Sequence, residues 1–384
     1  MIPYSRQAID EEDIQAVVDV LRSDFLTQGS VVSSFENELC RYTGARHAIA
    51  STSGTTALHL AMLALEVGSE DIVWTTTISF VATANAALYC GASIDFVDIE
   101  ISSFNISLAE LEQKLEEAEK SRALPKVLII VHMGGNPVAL QEISILSKKY
   151  KFVVVEDACH ALGASYQGNK IGMCQYSDIT VFSFHPVKSI TCGEGGALLT
   201  NSDFIAKKSR LMANNGITKD PSLFENNAHG DWYYEQQALG YNYRMSDIHA
   251  ALGLSQMLKL DSFIAKRKQW AQWYQFQCKA LPITFQEVEN GSESAWHLLI
   301  ILVDESVSWS CLDLYNYMLD HGVKVQKHYI PIYKHPIYSE FTIQKDEFGV
   351  AEDYYERSIS IPVFPSLKLE QAVTVVNCLK GYFE

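Results

Sequence analysis

From residue 47 onward the chain alternates short apolar runs with longer amphipathic ones, and few architectures accept that order. Strand-length segments recur at 72–76, 94–98, 127–132, 152–156, 179–184 and 196–200. Helical stretches at 80–90, 107–119 and 138–150 fall between several of them. Parallel strands need a crossover, and a helix supplies it, so the alternation predicts an α/β fold: a mostly parallel sheet covered by helices on both faces. Ahead of it, helices are expected over 10–22, with Ile14, Val17, Val18 and Leu21 on one stripe, and over 32–42, stopped by Gly44. After about residue 201 the pattern changes. Residues 214–240 read as an irregular loop, and helices follow near 245–260 and 261–280. Strands at 297–303 and 323–326 then mix with helices at 310–321 and 368–381, as in a smaller α+β lobe. Two domains are expected, 1–250 and 251–384.

Composition excludes several classes. A net charge of −16 argues against nucleic acid or an anionic membrane surface as partner, so any phosphate must be held by a local donor cluster. No apolar run reaches membrane-spanning length, and the first residues, MIPYSRQAIDEED, lack a basic stretch followed by an apolar one. The eight cysteines are scattered singly, without CxxC, and HExxH is absent, so no metal site is expected. Reduced thiols and the absence of an export signal give a cytoplasmic expectation. No GxGxxG follows the first strand, which disfavours a dinucleotide-binding dehydrogenase.

Four segments carry chemistry. The run Ser51-Thr52-Ser53-Gly54-Thr55-Thr56 stands between a strand and a helix, and reads either as an anion seat or as an ordinary N-cap. Asp157, at the carboxyl end of an apolar strand, would pair with a protonated ring nitrogen or cap a turn, and His160 follows three residues on. Lys188 sits among Phe182, Phe184, Pro186 and Val187, with Ser183 close enough for its hydroxyl to reach the same phosphate. Desolvation disfavours the ammonium form, which suits an amine nucleophile and Schiff-base former; the alternative is a loop lysine in a salt bridge. Phe80, where a strand turns into a helix, would stack on a flat ring or serve as a plain core aromatic. Taken together the four are the parts that pyridoxal 5′-phosphate requires.

Here the chain resembles the DegT/StrS family of sugar-nucleotide aminotransferases over essentially its whole length. TSGTTAL, ISFVATANA, EDACHALGA, FSFHPVK, GEGGA and GYNYRMSDIHAALGLSQ match the family in order and spacing. The resemblance implies the type I (aspartate aminotransferase) fold, with a large domain whose sheet lies between helices and a smaller C-terminal domain. It implies that Ser53, Gly54, Thr55, Phe80, Asp157, His160, Ser183 and Lys188 hold the cofactor, and that Lys188, Asp157 and His160 serve catalysis. Asn242 would reach the cofactor phosphate of the neighbouring subunit, so a homodimer with shared active sites is implied. Lys188 stands where the dehydratases of the family carry histidine, which argues against that branch.

PYSRQAIDEEDIQAV, FLTQGSVVSSFE, TTTISFVATANAAL and KVQKHYIPIY resemble the branch that serves pseudaminic acid biosynthesis. That likeness implies transfer of an amino group from L-glutamate to C4 of a UDP-linked 4-keto-6-deoxy-N-acetyl-hexosamine. Tyr4, Phe25, Leu26, Thr27, His328 and Tyr329 would line the sugar-nucleotide site. For His328-Tyr329 a plain turn before Pro331 stays open. Thr77 departs from the branch, which often has proline there; a small change in loop stiffness is expected. Transamination of another keto-sugar nucleotide, on dTDP or GDP and at C3 or C4, remains an alternative, as does a cofactor-binding regulator without transaminase activity.

Overall fold

The computed structural model describes residues 1–307, 309–341 and 348–383. Seven strands form the main sheet: β1 (His47–Ser51), β2 (Ile72–Thr76), β3 (Ser93–Val97), β4 (Val127–Val131), β5 (Val153–Asp157), β6 (Ile179–Ser183) and β7 (Gly196–Thr200). Their order is β1-β7-β6-β5-β4-β2-β3. β7 runs antiparallel to both its neighbours; the other pairings are parallel. The antiparallel return needs no crossover helix. Loop 184–195 therefore stays at the edge where the parallel strands end, and Lys188 is on that loop.

Among the described residues twelve α-helices accompany the strands: α1 (Glu11–Leu21), α2 (Ser30–Thr43), α3 (Gly54–Ala64), α4 (Ala82–Tyr89), α5 (Leu108–Ser121), α6 (Leu140–Tyr150), α7 (Asp203–Ala213), α8 (Asp247–Met257), α9 (Leu260–Gln277), α10 (Cys311–Asp320), α11 (Gly349–Arg357) and α12 (Leu369–Phe383). Strand alternation divides the main sheet between two apolar cores. Leu128, Ile130, Val154 and Phe182 enter one, and Ile129, Val155, Val181 and Leu198 the other. Both faces are covered, so the central strands bury apolar residues on both faces. A second antiparallel sheet, β8 (Ile283–Phe285), β9 (Leu299–Val303) and β10 (Ser358–Ile361), packs with α10 and α12 around a third core that includes Ile301, Ile359, Leu314 and Val375.

Local signals place most elements where the sequence does. Gly44 closes α2 at φ +86, the left-handed region that glycine enters without strain. Three differences have physical causes. The apolar stripe of α1 is not its buried face: Ile14 and Leu21 are about half exposed, whereas Asp13 is buried. Asp13 accepts hydrogen bonds from Ser255 Oγ (2.6 Å) and Gln256 Nε2 (2.7 Å) and pairs with Lys259 (3.0 Å), so polar contacts dock α1 on α8. The expected strand at 323–326 is reduced to isolated bridges, Val323 with Ile2 and Gln326 with Ser360, because its two ends pair with different segments. α11 carries no sequence cap of its own. Its first turn is capped by Asp98, whose carboxylate accepts from Val350 N (3.0 Å) and Ala351 N (3.1 Å).

Thr77 is built into the sheet edge more firmly than a loop residue. Its N–H donates to Val97 O (3.1 Å) and its hydroxyl to Asp98 Oδ1 (3.1 Å). Proline could make neither contact. No helix among the described residues is long and apolar enough to cross a membrane.

Candidate active site

The carboxyl ends of the parallel strands bring the candidate residues together. Ser51 and Ser183, the last residues of β1 and β6, both pair with Gly196, the first of β7. A Cβ on Gly196 would lie 2.2 Å from Ser53 O and 2.6 Å from Gly54 N, so only glycine lets the turn into α3 come this close. Ser53 caps α3 reciprocally: its Oγ accepts from Thr56 N (3.1 Å), and Thr56 Oγ1 accepts from Ser53 N (3.0 Å). Among the described residues the N–H groups of Gly54 and Thr55 remain without a protein acceptor, at the positive end of the helix. A Cβ on Gly54 would meet Ser183 Cβ at 2.9 Å, so the Ser183 hydroxyl stands beside those N–H groups.

Asp157 ends β5 and is 6 % exposed. Its Oδ2 accepts from the Thr83 hydroxyl (2.7 Å) and its Oδ1 from Cys159 N (3.2 Å). Strand alternation sends the preceding Glu156 to the opposite face, where it meets His132 (2.8 Å) and Thr180 (2.9 Å). Lys188 is half-buried, with Phe182 and Phe184 fully buried behind it. Burial lowers its pKa from the ordinary lysine value, and negative charge at Cys159 or Asp157 acts the other way. The Ser5 hydroxyl donates to Val187 O (3.4 Å), tying the N-terminal arm to the lysine loop.

The opposite wall is aromatic. Phe80 is 56 % exposed, a value unlike that of a core aromatic, and its ring centre lies 6.0 Å from that of Tyr329. The Tyr329 hydroxyl is 3.1 Å from His160 Nε2, and the two rings are nearly parallel at 21°. Burial, then the neighbouring Lys188, push the His160 pKa well below the ordinary histidine value, which favours the uncharged ring. Burial also drives His328 down to about 3, and its Nδ1 lies 2.8 Å from Ser360 Oγ. Tyr4 packs on His328 with ring centres 5.4 Å apart. Tyr354 donates to His328 O at 2.5 Å and so fixes this wall from behind.

These groups enclose a cavity of ≈ 810 Å³. Ser53, Gly54, Thr55, Phe80, Asp157, His160, Ser183 and Lys188 all face it, and so do Tyr4, His328 and Tyr329. Phe25, Leu26, Thr27 and Asn242 do not: all four are exposed, Thr27 bridging to Ser246 and Asn242 to Asn214. Ser79, Cys159, His185, Glu194, Gln326 and Lys327 line the cavity without having been singled out from the sequence. Only for Ser79 was a signal present, since Ser79 and Thr83 stand four apart where a strand turns into a helix.

The residues present fit pyridoxal 5′-phosphate. Two free helix N–H groups flanked by hydroxyls suit a phosphate, and a buried carboxylate suits a protonated ring nitrogen. His160 Nδ1 is buried with no partner among the described residues, as expected of a group that serves a ligand.

Residues 7–380 match the model of the DegT/DnrJ/EryC1/StrS aminotransferase family. The chain is 37 % identical over 386 residues to the UDP-4-amino-4,6-dideoxy-N-acetyl-beta-L-altrosamine transaminase of Campylobacter jejuni, covering 100 % of this chain and 98 % of that one. Among solved structures it resembles PseC of Helicobacter pylori, an aminotransferase involved in the biosynthesis of pseudoaminic acid. The TM-score is 0.90 at 31 % identity, with 100 % and 99 % of the two chains covered. The sugar aminotransferase Spr1654 of Streptococcus pneumoniae, in its PMP-form, gives a TM-score of 0.90 at 27 % identity, with 99 % and 98 % covered. Fold, cavity and likeness over the full length agree that this chain is an aminotransferase of type I fold and belongs to the DegT/DnrJ/EryC1/StrS aminotransferase family.

Proposed function

We propose that the chain uses pyridoxal 5′-phosphate to move the amino group of L-glutamate to C4 of a UDP-linked 4-keto-6-deoxy-N-acetyl-hexosamine, a step of pseudaminic acid biosynthesis. The observation that carries the cofactor reading is the convergence of Lys188, Asp157, Phe80 and the α3 N-terminus on one cavity. The substrate reading rests on the names of the similar proteins.

The bound cofactor supplies an electron sink for the charge left when a Cα–H bond breaks. The chain's own residues do the rest. The α3 N-terminus, with Ser53, Thr55 and Ser183, binds phosphate. Asp157 orients a protonated heterocyclic nitrogen and offsets its charge. Phe80 and the His160–Tyr329 pair confine a flat ring and keep water from it. The Lys188 amine, its charged form disfavoured by burial, would hold the cofactor as a nucleophile and, once displaced by the donor, would act as general base for the donor Cα proton and as general acid that passes it on to the cofactor side.

Tyr4, His328 and Tyr329 form the sugar side of the cavity in this reading. Phe25, Leu26, Thr27 and Asn242, exposed on one chain, complete the cavity of a second copy in a homodimer. The exposed stripe of α1 is consistent with such a partner. The division into domains 1–250 and 251–384 belongs to the same proposal, and so does a cytoplasmic address, which the eight unpaired cysteines suit.

Two measurements test this. Mixing the protein with L-glutamate should release 2-oxoglutarate; no release overturns the enzymatic reading. A panel of keto-sugar nucleotides on UDP, dTDP and GDP, offered to the glutamate-treated protein, should restore the original visible absorbance with the UDP 4-keto sugar. Restoration only by another carrier overturns the substrate assignment and leaves the chemistry standing.

A further inference from the structure

The turn that brings Phe80 into the cavity also carries a hydroxyl pair. Ser79, 3 % exposed, faces the cavity, and its Oγ lies 2.7 Å from Thr83 Oγ1. Thr83 is fully buried and its hydroxyl donates onward to Asp157 Oδ2 at 2.7 Å. A hydroxyl has one proton, and an ionised carboxylate only accepts. With the Thr83 proton committed to Asp157, the contact between Ser79 and Thr83 has one allowed sense: Ser79 donates. The chain of protons therefore runs from the cavity wall inward to the carboxylate, and Cys159 N–H holds the other oxygen at 3.2 Å.

The geometry points to Thr83, backed by Ser79, as the residue that positions the Asp157 carboxylate toward a proton donor on the cavity side. A heterocyclic nitrogen facing Asp157 then keeps its own proton. This rests on the cofactor reading above. A hydrogen bond donated to a carboxylate oxygen favours the charged form, and here the donor is a fully buried hydroxyl fixed on α4. Without the hydroxyl, the carboxylate competes with the ring nitrogen for one proton. The titratable groups that feel the Asp157 charge are Lys188, Cys159 and Tyr329 on the cavity side, and among the described residues none of them is hydrogen-bonded to the Thr83 hydroxyl. Thr83 itself does not line the cavity, so its effect is exerted through Asp157.

The test uses full-length protein loaded with pyridoxal 5′-phosphate labelled with nitrogen-15 in the ring. The ring-nitrogen chemical shift is followed over the pH range in which circular dichroism shows a folded chain. Thr83→Val keeps the shape and removes the donor; the ring nitrogen should lose its proton at a pH about one unit lower than in the unaltered protein. Thr83→Ser should restore the original behaviour, and Ser79→Ala should fall between. Coincident titrations for the unaltered protein, Thr83→Val and Ser79→Ala overturn the proposal and leave the cofactor reading intact. Failure of the unaltered protein to take up the label overturns both. If Thr83→Val does not fold, Ser79→Ala decides, and a titration identical to that of the unaltered protein counts against the relay.

Discussion

The floor and the rim of the cavity are built by different means. The floor is made at strand ends: Asp157 and Ser183 finish two parallel strands, and Gly196 pairs with Ser183 and with Ser51, the end of β1 just before the Ser53 turn. Backbone ladders fix these positions, and each side chain is further held by a hydrogen bond or a close contact. The rim comes from distant segments: Tyr4 in the N-terminal arm, Phe80 in a turn, and Gln326–Tyr329 between the second sheet and α11. Of the residues expected at the rim, Phe25 to Thr27 are exposed and outside the cavity, and so is Asn242, expected at the phosphate of a neighbouring subunit. A floor fixed by ladders suits the invariant half of a reaction, and a rim made of loops suits the half that varies with substrate.

That contrast predicts a graded series. Lys188→Arg keeps bulk and charge, yet its guanidinium stays protonated. Release of 2-oxoglutarate from glutamate should fall by more than about a thousandfold. Asp157→Asn should lower the same rate by about 10²–10³-fold, the scale of losing one fixed electrostatic group. The variant also carries a pH signature. Burial lowers the Lys188 pKa and the Asp157 charge raises it. In the unaltered protein the rate of cofactor uptake should rise with pH through a value below that of free lysine. Asp157→Asn removes the opposing charge and should move that limb to still lower pH; a limb displaced upward would contradict the arrangement.

Gly196→Ala should cost about 1–3 kcal/mol in denaturant unfolding, because the new methyl meets Ser53 backbone rather than a movable side chain. It should also weaken phosphate retention, measured by dialysis of the loaded protein. Thr77→Pro removes a backbone donor and a hydroxyl from Val97 and Asp98, and should destabilise by about 1–3 kcal/mol. The smallest effect belongs to the rim: Phe25→Ala should change stability by less than about 0.5 kcal/mol. It should raise KM for the sugar nucleotide while leaving the glutamate half-reaction unchanged. Equal damage to both half-reactions would erase the distinction between floor and rim.

The floor was legible in advance because each of its parts obeys a local rule. A capped helix start after a strand, a carboxylate at a strand end and a lysine among aromatics can be recognised within about ten residues each. Thr83 was missed because its four-residue spacing from Ser79 is common at a helix start and gains meaning only with the partner carboxylate at position 157 beside it. The α1 stripe misled for a related reason. Periodicity reveals an apolar face, but not whether that face meets its own chain, and here Asp13 does the docking. α11 escaped notice because its cap comes from Asp98, far away in sequence.

Read alone, the order of residues determined the strand and helix succession, the parallel sheet and the groups of the cavity floor, because backbone preference and side-chain period act over short distances. The three-dimensional fold alone decided which side of α1 is buried, how Thr77 and Asp98 tie the sheet edge to α11, and which way the protons run from Ser79 through Thr83 to Asp157. Those outcomes depend on contacts between segments whose separation along the chain carries no periodic signal.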